Sequence, residues 1–241
     1  MKKTIFFTTL IMSFSLLFLS FNNKDNNDEI AASKKVDSTS SVNAPSLVDT
    51  LMDSLHLDSL GLTHEAVEYA VKGFDKLDSL GKVNNPYLTI VDLSQSSRKK
   101  RFYILDMQKH QLVWNTFVSH GKNSGIDMAE KFSNQMNSEE SSLGFYVTEN
   151  TYTGKHGLSL RINGLEEGFN SNAEARGVVV HGAPYVNAGR VNSGYMGRSQ
   201  GCPALPVNEY AKVINIIKDG SVLFVYHPSA DYLQSSPILN S

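Results

Sequence analysis

Short β-rich segments separated by turn residues dominate the chain after Pro86, and they limit its possible folds more than any other feature. They cover residues 87–93, 102–107, 112–118, 144–148, 158–162, 178–181 and 222–226. Polar runs separate the first three segments, which predicts a meander of hairpins. Glycines punctuate the later turns at Gly154, Gly157, Gly164 and Gly168. The pattern predicts one mainly β domain with a few helices, a β-rich α+β fold.

Helices are predicted on both sides of the β-rich region. Repeated leucines in residues 46–60 indicate a weak amphipathic helix. Thr63 is typical of an N-cap, the apolar residues that follow it recur at helical spacing, and Gly81 ends the segment. Asn208 is predicted to cap a last helix before the final strand.

The chain divides by composition into five parts. Residues 1–21 have a positive start and an apolar run, which predicts a signal peptide or an N-terminal membrane anchor. Residues 22–45 are polar and predict a disordered spacer. We expect residues 46–84 to be a helical segment packed on the β-rich domain of residues 85–230, with 231–241 as a C-terminal tail. The formal net charge of -2 gives no basic patch, so nucleic acid is not a predicted partner.

Cys202 is the only cysteine of the chain. It cannot form an internal disulfide, and an exported protein has little reason to keep an unpaired thiol unless the thiol has a function. His181 closes a run of three valines 21 residues earlier and could serve as its base. A buried, inert cysteine is the alternative interpretation. His120, His156 and His227 are competing candidates for the base.

The residues before Cys202 suit a loop that presents backbone N–H groups. Gly201 allows close approach of the main chain or a positive φ, so the N–H groups of Cys202 and of Gly201 or Gln200 are candidate donors to an oxyanion. No histidine or cysteine pair has the spacing of metal ligands. The sequence therefore predicts neither a metal nor a cofactor.

Two motifs together resemble the catalytic region of the YkuD-type L,D-transpeptidase superfamily. They are Val-Val-Val-His-Gly at residues 178–182 and Gly-Arg-Ser-Gln-Gly-Cys-Pro-Ala at residues 197–204. The Ser-Gln-Gly-Cys-Pro-Ala form is similar to the branch described as murein L,D-transpeptidase catalytic domain proteins. Segments 141–148, 154–161 and 164–170 match that branch as well. The resemblance spans residues 86–228 and implies an L,D-transpeptidase-like β-sandwich catalytic domain.

The resemblance implies roles at matching positions. Cys202 would be the nucleophile and His181 the base, with the backbone carbonyl of Gly182 orienting the imidazole in place of a carboxylate. The implied substrate is the peptide stem of peptidoglycan. Cys202 would attack the carbonyl of the L-centre of a diamino acid and expel a terminal D-residue. An amine of a second stem, or water, would then resolve the thioester.

The residues around the nucleophile differ from the usual superfamily pattern. Gln200 stands where a histidine is usual, and Pro203-Ala204 replaces the region that usually carries a basic or amide residue. Arg198, Ser199 and Tyr185 are the candidate substrate-binding residues. Arg198 has two interpretations, a cation for a stem carboxylate or an arginine that bonds the carbonyls of its own loop. Arg176 is interpreted as structural.

The main functional hypothesis is an exported thiol acyltransferase of the bacterial periplasm or cell envelope that crosslinks peptidoglycan stem peptides. Carbapenem-type β-lactams would be expected inhibitors. An L,D-carboxypeptidase and a hydrolase of protein–peptidoglycan links, both with the same thiol chemistry, are alternatives. A non-catalytic cell-wall-binding module is the remaining hypothesis, and the presence of both Cys202 and His181 argues against it.

Overall fold

The computed structural model describes residues 44–241. The predicted signal or anchor, and the predicted spacer up to residue 43, lie outside the described residues. Within residues 44–241, no helix combines the length and the apolar character needed to cross a bilayer.

The described chain forms eight strands and four α-helices. The strands are β1 (Tyr87–Asp92), β2 (Phe102–Asp106), β3 (Gln111–Thr116), β4 (Gly144–Gly154), β5 (Gly157–Gly164), β6 (Val179–Ala183), β7 (Ala204–Pro206) and β8 (Val222–Tyr226). The helices are α1 (Leu47–Leu55), α2 (His64–Ser79), α3 (Tyr210–Ile217) and α4 (Ala230–Ser235), and a short 3₁₀ turn covers Ala188–Arg190. The predicted mainly β class with N-terminal and C-terminal helices is confirmed.

All eight strands belong to one sheet in the order β3-β2-β1-β8-β4-β5-β6-β7. The predicted meander is present as antiparallel β1, β2 and β3. The strand β8 lies between β1 and β4, parallel to the first and antiparallel to the second. Strand β7 was not predicted, because three residues ending in proline give no strand periodicity. It pairs only with β6, as an edge strand.

The two edges of the sheet approach each other, so that the sheet is nearly closed. Strands β3 and β7 are the edges. The segment after β3 returns to β7, where the Ser119 N–H donates to the carbonyl oxygen of Ala204 at 2.9 Å. Two residues further on, Gly121 forms a bridge with Ser199. The loop that precedes Cys202 is therefore held at the seam between the two edges.

The N-terminal helices begin at the residues that capping chemistry favours. The Ser46 side chain and Asp49 form a capping box at the start of α1. The Thr63 hydroxyl accepts the Ala66 N–H at the start of α2, as predicted, and α2 ends at Ser79, just before Gly81. The buried face of α2 packs on the core of the sheet.

Helix α3 starts differently from the prediction. Asn208 is not its N-cap; Glu209 occupies that position, without a side-chain cap. The Glu209 carboxylate instead accepts a hydrogen bond from the Trp114 indole at 2.9 Å, so that its side chain is directed to strand β3. The first residue of α3, Tyr210, lies against Gly182, where an added Cβ would sit 2.7 Å from the Tyr210 ring.

The C-terminal segment is part of the core. Tyr232 in α4 and Leu239 are almost completely buried. The buried Glu166 carboxylate accepts hydrogen bonds from the Tyr232 hydroxyl at 3.0 Å and from the Ser236 hydroxyl. It also accepts the Phe145 N–H at 2.6 Å. One carboxylate thus joins α4 and the turn after it to strand β4.

Candidate active site

Parallel pairing of β6 with β7 brings His181 close to Cys202. His181 lies opposite Ala204 in this pair, and Cys202 comes two residues before Ala204. Cys202 stands in the bend that leads into β7, so the register brings this bend next to the strand that carries His181. Both side chains line one cleft of about 350 Å³. The structure therefore brings together the two residues that were predicted to act together.

The cleft contains most of the predicted site residues, the competing base candidate His156, and two lysines that were not predicted. Its lining residues are Lys122, Lys155, His156, His181, Tyr185, Arg198, Ser199, Gln200 and Cys202. No carboxylate lines it. The positive charge of the lining contrasts with the slightly negative charge of the whole chain.

A hydrogen bond to the backbone fixes one ring nitrogen of His181. Its Nδ1 lies 3.0 Å from the carbonyl oxygen of Gly182. A carbonyl can only accept, so Nδ1 carries the proton and the neutral ring keeps a free lone pair on Nε2. Burial lowers the pKa of His181; the bond to Gly182 opposes this effect, and the charge of His156 adds to it. The imidazole is thus kept in its neutral, proton-accepting form.

The Cys202 thiol is half-buried at the end of the loop. Its sulfur lies 3.5 Å from the Val179 N–H and 3.7 Å from the Gly177 carbonyl oxygen. Among the described residues these are its hydrogen-bond contacts, and none joins it directly to His181. Burial raises the pKa of the thiol, while the Val179 N–H and the charge of Arg176 lower it in part. The resting thiol is therefore protonated and turned toward the backbone before β6.

Ser199 shapes the nucleophile loop. Its hydroxyl donates to the Cys202 carbonyl at 2.6 Å and accepts the Gly201 N–H at 3.1 Å. Both hydrogen-bonding functions of the hydroxyl are used inside the loop, which gives Ser199 a structural role; its expected contact with substrate stays a prediction. Gly201 has φ +117°, and an added Cβ would lie 2.8 Å from the Glu140 carbonyl oxygen. The predicted need for glycine at this position is met by both observations.

The geometry of this loop bears on which of its backbone N–H groups are free to donate to an oxyanion. The Gly201 N–H donates to the Ser199 hydroxyl, and its expected role as an oxyanion donor stays a prediction. The N–H groups of Gln200 and Cys202 have no acceptor among residues 44–241. The Gln200 side chain is held by Glu139, at 3.2 Å, which in turn pairs with Lys122 at 2.6 Å.

Arg198 and Tyr185 also line the cleft. The Arg198 guanidinium donates to the carbonyl oxygens of Lys122 at 2.9 Å and Gly125 at 3.2 Å. These bonds support the second of its two interpretations, an arginine that fixes its own loop, and its binding of a substrate carboxylate stays a prediction. Tyr185 packs against Gly197, where an added Cβ would lie 2.3 Å from the ring. Burial raises the pKa of the Tyr185 phenol, and the charge of Cys202 acts in the same direction.

Arg176 is structural, as interpreted from the sequence. Its guanidinium donates to the carbonyl oxygens of Ser133 and Glu140, both at 2.6 Å, and to the hydroxyl groups of Ser138, at 3.0 Å, and Ser142. These bonds fix the segment that passes beneath the nucleophile loop, since Glu140 contacts Gly201.

The sequence did not single out Lys122, Lys155 or Glu139, which lie in or beside the cleft. Lys122 and Glu139 come from a long irregular segment between β3 and β4, where no periodicity indicates which side chains face inward. Lys155 and His156 form the tip of the β4–β5 hairpin. Their position follows from the pairing of β5 with β6, in which Ser159 lies opposite His181.

A thiol and a carbonyl-oriented histidine in one cleft, on a mainly β domain, define a class of candidate cysteine acyl-transfer proteins. The chain matches the family model of the L,D-transpeptidase catalytic domain over residues 59–226 and belongs to that family. This confirms the resemblance found in the sequence. No curated protein sequence matches the chain.

Solved structures of L,D-transpeptidases are similar to the chain at low identity. One from Mycobacterium smegmatis is 16% identical with a TM-score of 0.38, and LdtMt1 in complex with imipenem is 17% identical with a TM-score of 0.36. In both pairs the similarity covers 59% of each chain. One from Stackebrandtia nassauensis is 16% identical with a TM-score of 0.34, and the similarity covers 69% of this chain and 67% of that one. The family assignment rests on the family model alone.

Proposed function

We propose that this protein is a cysteine acyltransferase of the bacterial cell envelope that acts on peptidoglycan stem peptides as an L,D-transpeptidase. The observation that carries the proposal is the His181 Nδ1 contact with Gly182 in the cleft that also holds Cys202. That contact leaves Nε2 as a base for the thiol. Family membership supports the substrate class.

The first half-reaction forms a thioester on Cys202. The thiol rotates from the Gly177 carbonyl toward His181, whose Nε2 takes its proton as sulfur attacks the carbonyl of the L-centre. The backbone N–H groups of Gln200 and Cys202 are placed to donate to the oxyanion of the tetrahedral intermediate. His181 then gives its proton to the departing amine of the terminal D-residue, and the carbon–nitrogen bond breaks.

The second half-reaction releases the acyl group. His181 takes a proton from an amine of a second stem as this amine attacks the thioester, and the new amide forms the crosslink. The sulfur leaves and regains the proton from His181. Water in place of the amine would give an L,D-carboxypeptidase.

The positive lining of the cleft supports a substrate with a free carboxylate. Lys122 is paired with Glu139 and the Arg198 guanidinium is bonded to carbonyl oxygens. Lys155 is exposed and takes part in no ion pair within the described part of the chain. It is the cation best placed to meet the carboxylate of the terminal D-residue.

Mass spectrometry of the purified protein with tetrapeptide-stem muropeptides tests the proposal. We expect a thioester on Cys202, release of the terminal D-residue, and crosslinked product when acceptor stems are present. The Cys202→Ser variant should form no thioester. A carbapenem should form a covalent adduct at Cys202, because the thiol would open the strained ring and remain acylated.

The His181→Ala variant tests whether His181 is the general base. Loss of general-base catalysis should reduce the acylation rate by roughly 10²–10⁴-fold, with a matched His110→Ala change at an exposed hairpin turn leaving it unchanged. Intact muropeptides after long incubation with folded wild-type protein would contradict the enzyme assignment. Normal acylation by His181→Ala would contradict the role of that residue.

A further inference from the structure

A second histidine lies directly on the candidate base. His156 is at the two-residue tip between β4 and β5, where Gly154 pairs with Gly157. Gly157 has φ +76°, and a Cβ on Gly154 would lie 2.6 Å from the Tyr152 ring. The positive φ favours glycine at position 157, and the two-residue tip places His156 in the lining of the cleft.

The two imidazoles are stacked. Their ring centroids are 4.3 Å apart and the ring planes differ by 24°. His156 is exposed, whereas His181 is 3% exposed, so the outer ring covers one face of the inner ring against solvent. Since imidazole nitrogens lie at the ring edge, a partner on the face leaves the Nε2 edge of His181 free for the thiol.

The charged side chains that line the cleft around the stack are cations. Lys122, Lys155 and Arg198 line the same cleft. Cys202 and Tyr185 are the other titratable side chains of the cleft, and Tyr210 approaches the hairpin through Gly157, whose added Cβ would lie 3.3 Å from its hydroxyl. Burial keeps the thiol and the Tyr185 phenol protonated and neutral. Glu139, beside the cleft, is paired with Lys122 at 2.6 Å. A proton on either histidine would therefore place a positive charge against the other ring without a carboxylate in the lining to balance it.

We propose that His156 is a positioning residue for the reaction, which stacks on His181, shields it from water and keeps it available as an unprotonated base in mildly acidic surroundings. The inference rests on the proposed role of His181 as base. With the ring centroids 4.3 Å apart, a positive charge on His156 disfavours a second positive charge on His181.

Histidine NMR titration of the full chain tests the inference without any substrate. The His181 resonance is assigned by its loss in His181→Ala. In His156→Phe, which keeps the stacked ring but cannot be protonated, we expect the titration midpoint of His181 to rise by roughly half to one pH unit. In His156→Gln, which removes the ring, the midpoint should rise further because water reaches the imidazole. His110→Asn, at an exposed turn, is the matched control and should leave it unchanged.

The acylation rate with tetrapeptide-stem muropeptides gives the functional readout. Both His156 variants should acylate several-fold more slowly at mildly acidic pH, while His156→Phe should approach the wild-type rate at alkaline pH. An unmoved His181 midpoint in the folded variants would overturn the inference. So would loss of acylation at every pH in His156→Phe, since His156 would then itself be the base. If wild-type protein forms no thioester, the proposed function fails, and the midpoint still decides the role of His156.

Discussion

The Cys202 thiol and the His181 imidazole are both displaced toward their neutral forms. Burial raises the pKa of the thiol and lowers the pKa of the imidazole. A preformed thiolate–imidazolium pair would need the opposite shifts. Proton transfer from Cys202 to His181 is therefore expected during attack on the substrate, and the free enzyme should hold a neutral pair.

Ultraviolet absorbance of the thiolate checks this resting state. At neutral pH the wild-type protein should show no thiolate absorbance beyond that of Cys202→Ser. Because the pKa of the thiol is raised, the difference should appear only above the ordinary cysteine value of about 8.5. A thiolate signal that is already complete at neutral pH would contradict the neutral pair.

The Ser199 hydroxyl should contribute to the rate of acylation and hardly to substrate binding. It links the Cys202 carbonyl to the Gly201 N–H, and Ser199→Ala leaves both groups without this partner. We expect a loss of about 1–3 kcal/mol in the free energy of unfolding. We also expect a lower kcat with little change in KM, because the loop that presents the oxyanion donors loses its shape.

Steady-state kinetics and denaturant unfolding of the same variant give both quantities. Ser193→Ala, at an exposed position of the preceding loop, is the matched control and should change neither. A raised KM with an unchanged kcat for Ser199→Ala would restore the original expectation that this hydroxyl binds substrate.

Helix α2 packs closely on the sheet at a glycine. A Cβ on Gly73 would lie 2.0 Å from the Phe145 ring of β4. Helix propensity alone predicts that Gly73→Ala stabilises the protein by up to about 1 kcal/mol. The overlap with a buried ring should outweigh this, so we expect a net loss of about 1–3 kcal/mol in the free energy of unfolding.

Thermal or denaturant unfolding distinguishes the two effects. Lys72→Ala, on the exposed side of the same helix, exchanges one good helix former for another without any overlap and should be within about 0.5 kcal/mol of wild type. A Gly73→Ala variant that is more stable than wild type would show that the helix can move away from the sheet at little cost.

Helices and strands that are long enough to show a repeating apolar pattern could be predicted from the sequence. Elements too short for such a pattern could not. Thr63 and the apolar residues after it fix α2, and the long β-rich runs fix seven strands. Strand β7 is too short for alternation. The Glu209 side chain, at the start of α3, bonds Trp114, which is 95 residues away in the sequence. Such distant contacts leave no local pattern.

The candidate site divides in the same way. Cys202, His181 and the carbonyl of Gly182 could be predicted, because family motifs contain them at fixed spacing. The hydrogen bonds of Ser199 and the stacking of His156 could not, since both depend on how loops from separate strands meet. Arg198 had two interpretations in the sequence, and only its distances to backbone carbonyls distinguish them.

At the scale of the whole molecule, the buried Glu166 makes stability depend on pH. Burial raises its pKa in the folded state, and its hydrogen bonds with Ser236, Phe145 and Tyr232 oppose this only in part. A carboxyl group with a raised folded-state pKa favours folding below its unfolded value of about 4.3. That contribution is lost as the pH rises through the folded-state pKa.

Thermal unfolding as a function of pH measures this contribution. The melting temperature of wild type should fall, relative to that of Glu166→Gln, as the pH rises from the unfolded-state value through the folded-state value. The exposed Glu174→Gln is a matched control that should follow wild type. Parallel curves for wild type and Glu166→Gln would show that Glu166 is ionised at no cost in the folded protein.

The parallel pairing of β1 with β8 has a consequence for how the chain folds. Leu88 lies opposite Val222 at the centre of the sheet, so closing this pair joins residues 134 positions apart. Loop-closure entropy must be overcome before that contact contributes, which slows folding relative to a protein of local contacts. The enclosed loop carries both His181 and Cys202. We therefore expect catalytic competence to appear late, with the slow global step, and no early intermediate to bind covalent inhibitors.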